Sequence, residues 1–126
     1  MARTFSIMGL HLRYRLRIAE MNADITILRI FDDYLKELSS TKDKPGIKDK
    51  IDDFQKQFTG FRKEIDEVRD RMHILKMKLA SYAREKKPLD YKTYKADNYE
   101  GLKKRYSDFR KSFENVKKEF IEFVSE

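Results

Sequence analysis

The sequence predicts an all-α protein, an elongated antiparallel three-helix coiled-coil bundle that assembles into a dimer. Three observations carry that prediction. Apolar residues in the second and third segments recur at alternating steps of four and three, the 3.5-residue period of a coiled-coil seam. Helix breakers are scarce, with 4 Gly and 2 Pro in 126 residues. The first segment carries two apolar rows where docking needs one, and that points to assembly.

Helix one is expected over about residues 5–39. Its opening stretch "LHLRYRLRI", Leu10 to Ile18, alternates apolar and basic residues as a half-buried strand would. A strand needs a partner, and only "LDYKTY" at Leu89 to Tyr94 faintly offers one. Helical periodicity explains the alternation as two opposite faces read in sequence order. One row is Leu10, Tyr14, Ile18, Met21, Ile25, Leu28, Phe31, Leu35 and Leu38; the other is Phe5, Met8, Leu12, Leu16, Ala19, Ala23, Ile27, Ile30 and Tyr34.

"STKDKPG" at Ser40 to Gly46 is a turn cluster, with Pro45 where the first turn of a helix tolerates it. Helix two then runs over about 45–86 on the seam Ile47, Ile51, Phe54, Phe58, Phe61, Ile65, Val68, Met72, Leu75, Leu79 and Tyr82, until Pro88 pushes Lys87 out of the α region. Gly60 inside it costs about 1 kcal/mol relative to Ala and is expected where a neighbouring helix approaches closely, or at a hinge. Helix three, about 98–125, uses Tyr99, Leu102, Tyr106, Phe109, Phe113, Val116, Phe120 and Phe123. Asp97 is expected to cap it, with Glu100 reaching back to the cap amide. The pairs Glu67–Arg71, Glu100–Lys104 and Glu114–Lys118 are spaced to form weak surface ion pairs.

A chain of 126 residues is read as one domain, 1–126. The absence of Cys excludes thiol catalysis, disulfides and thiolate metal sites, and permits a reduced, cytoplasmic setting. No apolar run approaches the roughly 20 residues of a membrane span. The first 19 residues hold four Arg and no acid, as a mitochondrial transit peptide would, but the expectation is that they belong to the ordered domain. Three long heptad helices resemble spectrin-like repeats in architecture alone; there is no Trp to support that assignment, and fold analogy carries no function.

The second row of helix one would be a large exposed apolar stripe in a monomer. Phe5, Met8, Leu12, Leu16, Ile27 and Ile30 are therefore the expected interface of a homodimer or higher oligomer. A wider intramolecular core is the alternative. Short connections make neighbouring helices antiparallel, which gathers residues 1–19 and 76–95 at one end. Those 39 residues carry +9 against +7 for the whole chain. Arg13, Arg15, Arg17, Lys86, Lys87, Lys92 and Lys95 could there contact nucleic acid or an anionic membrane, while Tyr91 and Tyr94 among the lysines could stack on unpaired bases. Lysines ending a helix also simply complement its dipole.

No catalysis is expected. The two histidines, His11 and His73, do not make a metal set: Asp70-x-x-His73 has no second copy, and Asp66 and Asp70 lie on a polar face. No glycine-rich phosphate loop or nucleophile with a base appears. No cofactor is implied. The leading reading is a structural or protein-interaction helical bundle; the alternative is an adaptor that docks an anionic partner at the basic pole.

Overall fold

The computed structural model describes residues 4–40 and 46–125. Their order is β1 (Thr4–Phe5), α1 (Ile7–Ser40), α2 (Ile47–Arg84), β2 (Leu89–Asp90), α3 (Tyr91–Ala96) and α4 (Tyr99–Ser125). The chain is an all-α bundle of three long helices, with a fourth, six-residue helix in the last connection. Pro45 and the rest of the 41–45 turn lie outside the described residues. Among the described residues no helix is long and apolar enough to cross a membrane.

Aromatic contacts fix the arrangement. Phe120 of α4 lies 4.7 Å from Phe31 of α1 and 5.1 Å from Phe58 of α2, ring centroid to centroid. Towards the other end Tyr14 of α1 meets Tyr99 of α4 at 5.7 Å, so α1 and α4 run parallel. Phe61 faces Phe109 and Phe54 faces Phe123, so α2 runs against α4. The seam residues are the core: Tyr14, Met21, Leu28, Phe31 and Leu35 from α1, Ile51 through Leu79 along α2 except the half-buried Phe61, and Tyr99 through Phe120 along α4 are buried. Each buried Phe or Leu removes apolar surface worth about 1.5–3 kcal/mol.

Leu10 to Ile18 is helical, and Leu89–Asp90 does pair with a strand, but with Thr4–Phe5, in the register Thr4↔Asp90 and Phe5↔Leu89. This moves Phe5 off helix one. Ser6 ends the strand and starts the helix, its Oγ accepting from the Gly9 amide at 3.1 Å, an N-cap bond that halts α1 short of Phe5.

The connection from α2 to α4 departs most from expectation. Lys86 takes φ 55°, and the Lys86 and Lys87 amides donate to the carbonyls of Ala83 and Tyr82. Those two bonds form a Schellman closure with lysine at the left-handed position usually held by glycine. Asp90 then caps α3, accepting from the Thr93 amide at 2.8 Å. Asp97 ends α3 instead of capping α4, and its carboxylate takes Lys78 at 3.2 Å. The α4 cap position falls to Asn98, whose φ of 59° suits asparagine. Its side chain lies over Gly101, where an added Cβ would come within 2.5 Å of it. Glu100 does not reach back either, because it accepts the Tyr94 hydroxyl.

Gly60 is exposed, and a Cβ there would meet nothing within 4 Å, so no neighbouring helix explains it. The expected local ion pairs give way to other partners. Glu67 takes Arg105 of α4 at 3.1 Å, and Glu114 takes Lys117 at 3.0 Å and Arg110 at 3.5 Å. Glu67 turns to another helix and Glu114 to other neighbours on its own helix, and either exchange is easy because each exposed pair is worth only a few tenths of a kcal/mol.

Candidate functional site

Two surface features of α1 remain after the core is assigned. The first is the outer face. Exposure along it runs from 48% at Ile30 and 49% at Tyr34 to 56% at Leu12 and Leu16 and 71% at Met8. Ala19 and Ala23 are exposed on the same face and Ile27 is half-buried. From Met8 the steps are four, four and three, an 11-residue repeat that keeps the stripe nearly straight along the helix. Of this row Ile27 packs against the core while Met8, Leu12, Leu16, Ile30 and Tyr34 stay exposed, so among the described residues the fold does not build the wider intramolecular core. Phe5, in β1, is not on this stripe.

The second feature is the end of the bundle where α1 and α4 begin. Short helix connections, the β1–β2 pair and the parallel course of α1 and α4 bring the N-terminal segment to the α2–α4 connection. Between them lies a cavity of about 400 Å³ lined by Ser6, Gly9, Leu10, Arg13, Tyr14, Arg17, Tyr94, Tyr99, Glu100 and Lys103. Arg13 and Arg17, four apart, point from one flank of α1; Lys103 faces them from the first turns of α4. Arg17 also lies 5.9 Å over the Tyr14 ring.

Of the seven basic residues singled out in the sequence, only Arg13 and Arg17 line this cavity. Arg15 is exposed on another side of α1. Lys87 pairs with Glu85 at 2.9 Å, which raises its pKa, and Lys95 lies over the Tyr91 ring at 5.7 Å. Lys86 closes α2, and Lys92 is exposed on α3. Lys103 was missed because it sits in a heptad segment whose charged positions read as solvated face. Its signal was the spacing Tyr99–Lys103, which puts both on one side of α4.

Of the two tyrosines among the lysines, Tyr91 is exposed and Tyr94 is drawn against the core. Tyr94 is half-buried and stacks on Tyr99, with centroids 5.1 Å apart and planes 6° from parallel. Tyr14 and Tyr99 are each 1% exposed. Among the described residues neither hydroxyl has a hydrogen-bond partner. Burial pushes both phenols well above their ordinary pKa, so both stay protonated donors. The groups acting most on Tyr14 after burial are Tyr99, Arg17, Tyr94 and Glu100, and all four line the cavity.

Further along α1, Asp24 is 3% exposed and takes Arg110 Nη1 at 2.8 and 2.7 Å on its two oxygens. Burial raises the Asp24 pKa, against the pull of Arg110. One turn earlier the Tyr106 hydroxyl donates to Glu20, so two polar bonds tie α1 to α4. None of these four residues lines the cavity. His73 is exposed, and no cluster of three or more His, Asp or Glu among the described residues could hold a metal. No protein-family model, curated protein or solved structure matches the chain.

Proposed function

We propose that the protein is a non-catalytic helical assembly module that pairs with a second copy of itself through the outer face of α1, and that its seams pack as a left-handed coiled coil. The observation that carries this is the uncovered stripe from Met8 to Tyr34. At about 1.5 Å per residue it is roughly 39 Å long. Its exposed apolar surface is on the order of 600 Å² per protomer, so two copies would bury about 1,200 Å², enough for a specific interface.

A two-fold axis also suits the order of side chains. Met8, Leu12, Leu16 and Ala19 are followed by Ala23, Ile27, Ile30 and Tyr34, large to small and then small to large. Antiparallel copies crossing near Met21 would set Ala19 of one opposite Ala23 of the other, and Leu12 opposite Ile30. The small residues then permit close approach at the crossing, and the large ones fill the space as the helices diverge.

Light scattering at micromolar concentration tests the reading. The expected mass is twice that of the 15.2 kDa chain, reverting to monomer in Leu12→Glu with Leu16→Glu while helicity is kept. A monomeric parent, or a variant that still dimerises, overturns it.

A second reading rests on the basic pole: an adaptor for nucleic acid or an anionic phospholipid surface, using Arg13, Arg15, Arg17, Lys86, Lys87, Lys92 and Lys95. Its support is the excess of positive charge where α1 and α4 begin. Anisotropy of labelled single-stranded and duplex nucleic acid at several salt concentrations tests it; binding lost when Arg13, Arg15 and Arg17 become Glu in a folded protein supports it, and binding insensitive to those changes removes it.

A further inference from the structure

The cavity between the starts of α1 and α4 has the parts of an anion site, independent of how the outer face of α1 is covered. Arg13, Arg17 and Lys103 contribute three positive charges, and none of them has a carboxylate within ion-pair distance among the described residues. Two helices begin at its wall, α1 at Ser6 and Gly9 and α4 at Tyr99 and Glu100, and their N-terminal partial charges add to the same sign. Helix ends and surface cations alone would amount to an ordinary basic pole. The independent observation is the pair of phenols: the Tyr14 and Tyr99 hydroxyls are buried and unpartnered among the described residues, and both residues belong to the cavity wall. A buried hydroxyl without a partner costs about 1–3 kcal/mol; each hydroxyl is sealed from solvent, so an acceptor oxygen in the cavity removes that cost only where the Tyr14 side chain turns to meet it.

Size and chemistry narrow the ligand. A cavity of about 400 Å³ is at the small end of ligand pockets and too confined for a duplex. Its donors are guanidinium, ammonium and phenol groups, which suit the several oxygens of a phosphate group. Three of its ten lining residues are tyrosines, which suits a planar or sugar-like body beside that group. The Glu100 carboxylate, which accepts the Tyr94 hydroxyl, stands in the same wall and opposes an anion, so the three cations leave an excess of two positive charges.

We propose that this cavity binds a small phosphate monoester, with Arg13, Arg17 and Lys103 around the phosphate and the Tyr14 hydroxyl donating to one of its oxygens.

Titration calorimetry of the full chain with adenosine monophosphate and with inorganic phosphate tests it, followed by tyrosine resonances in the NMR spectrum. Saturable binding of the monophosphate is expected. It should weaken at least about tenfold in Arg13→Gln and in Lys103→Gln, and about fivefold in Tyr14→Phe, which keeps the ring and removes only the hydroxyl. The doubly neutralised Lys86→Gln with Lys92→Gln, at the same pole but outside the cavity, should bind as the parent does. Loss of affinity in that control equal to the loss in Arg13→Gln would make the binding a general effect of the basic pole and overturn the proposal. So would unchanged binding in Tyr14→Phe, or no saturable heat at about 5 mM ligand. Helicity and thermal midpoint, measured for each variant, separate lost binding from lost folding.

Discussion

Arg110→Met isolates the polar bond between α1 and α4 and predicts a pH-dependent loss of stability. Asp24 is almost fully buried and both its oxygens lean on one nitrogen of Arg110. Removing Arg110 leaves a buried carboxylate with only the weaker, more distant pull of Lys117 to favour its charge. Breaking such a buried pair costs about 3–5 kcal/mol; since the Arg110 side chain keeps 36% of its exposure, the lower end, about 3 kcal/mol, applies here. The cost depends on Asp24 being ionised. Burial already raises its pKa, and the variant removes the guanidinium that opposes that rise, so the folded pKa climbs further. A folded pKa raised above the unfolded value of about 3.9 means that the protonated group costs the fold little, and that stability is lost as pH rises through the folded pKa. The difference between parent and variant in urea unfolding should therefore be small near pH 4 and reach its full value at neutral pH. A difference that stays constant across that range would refute the argument, because it would mean that water, not Arg110, solvates Asp24. Asp24→Leu combined with Arg110→Met should recover most of the loss, since a packed apolar pair replaces a buried charge at little net cost.

Three further outcomes follow from local geometry. Gly60→Ala should raise stability by about 1 kcal/mol, because the position is helical, exposed and free of any contact that a Cβ would strain; chemical denaturation checks it, and a loss would reveal a packing role. Lys86→Gly should stabilise by about 1 kcal/mol by relieving the left-handed residue at the end of α2, seen as a higher thermal midpoint. Burial raises the phenol pKa of Tyr14, Tyr99 and Tyr106, and the hydrogen bond to Glu20 adds to it for Tyr106. Unfolded tyrosines ionise near pH 10, so the stability that these three confer is intact below about pH 10 and falls above it. Ultraviolet absorbance should show phenolate from these residues only as the helix signal is lost; their ionisation within a folded protein would contradict the burial.

The long elements were legible because seam positions repeat: Ile51 to Leu79, apart from the half-buried Phe61, and Tyr99 to Phe120 are buried in the order that the four-and-three steps set out. The connection was not, for reasons local to it. Asp97 and Glu100 have the spacing of a capping box, yet Lys78 and Tyr94 reach them first. Asp90, preceding "YKTY", does cap a helix, but six residues leave no periodic signal. Phe5 continued the helical spacing of Met8 and Leu12, and no periodicity could register that Ser6 stops the helix and that Leu89 takes the strand. Asp24 was invisible for a different reason: one acid at the edge of an apolar row looks like surface until Arg110, 86 residues away, is seen to reach it. The cavity shares that difficulty, since Arg13, Tyr94 and Lys103 are united only by topology.

The alternation of "LHLRYRLRI" follows from how many surfaces α1 serves. Leu10, Tyr14 and Ile18 turn to the bundle, Leu12 and Leu16 turn outward, and Arg13 and Arg17 stand on the flank between, beside the cavity. Each set steps by four, and the sets are offset so that their union repeats every second residue. A strand would have put all five apolar residues on one face and all four basic ones on the other. The helix divides the apolar residues between opposite faces and sends Arg15 to a different side from Arg13 and Arg17. Substitutions in this one stretch should therefore separate by position: Tyr14→Ala should weaken the fold, Leu12→Glu the pairing of copies, and Arg13→Gln the binding of an anion. A strand-like surface would give two classes of outcome where the helix gives three.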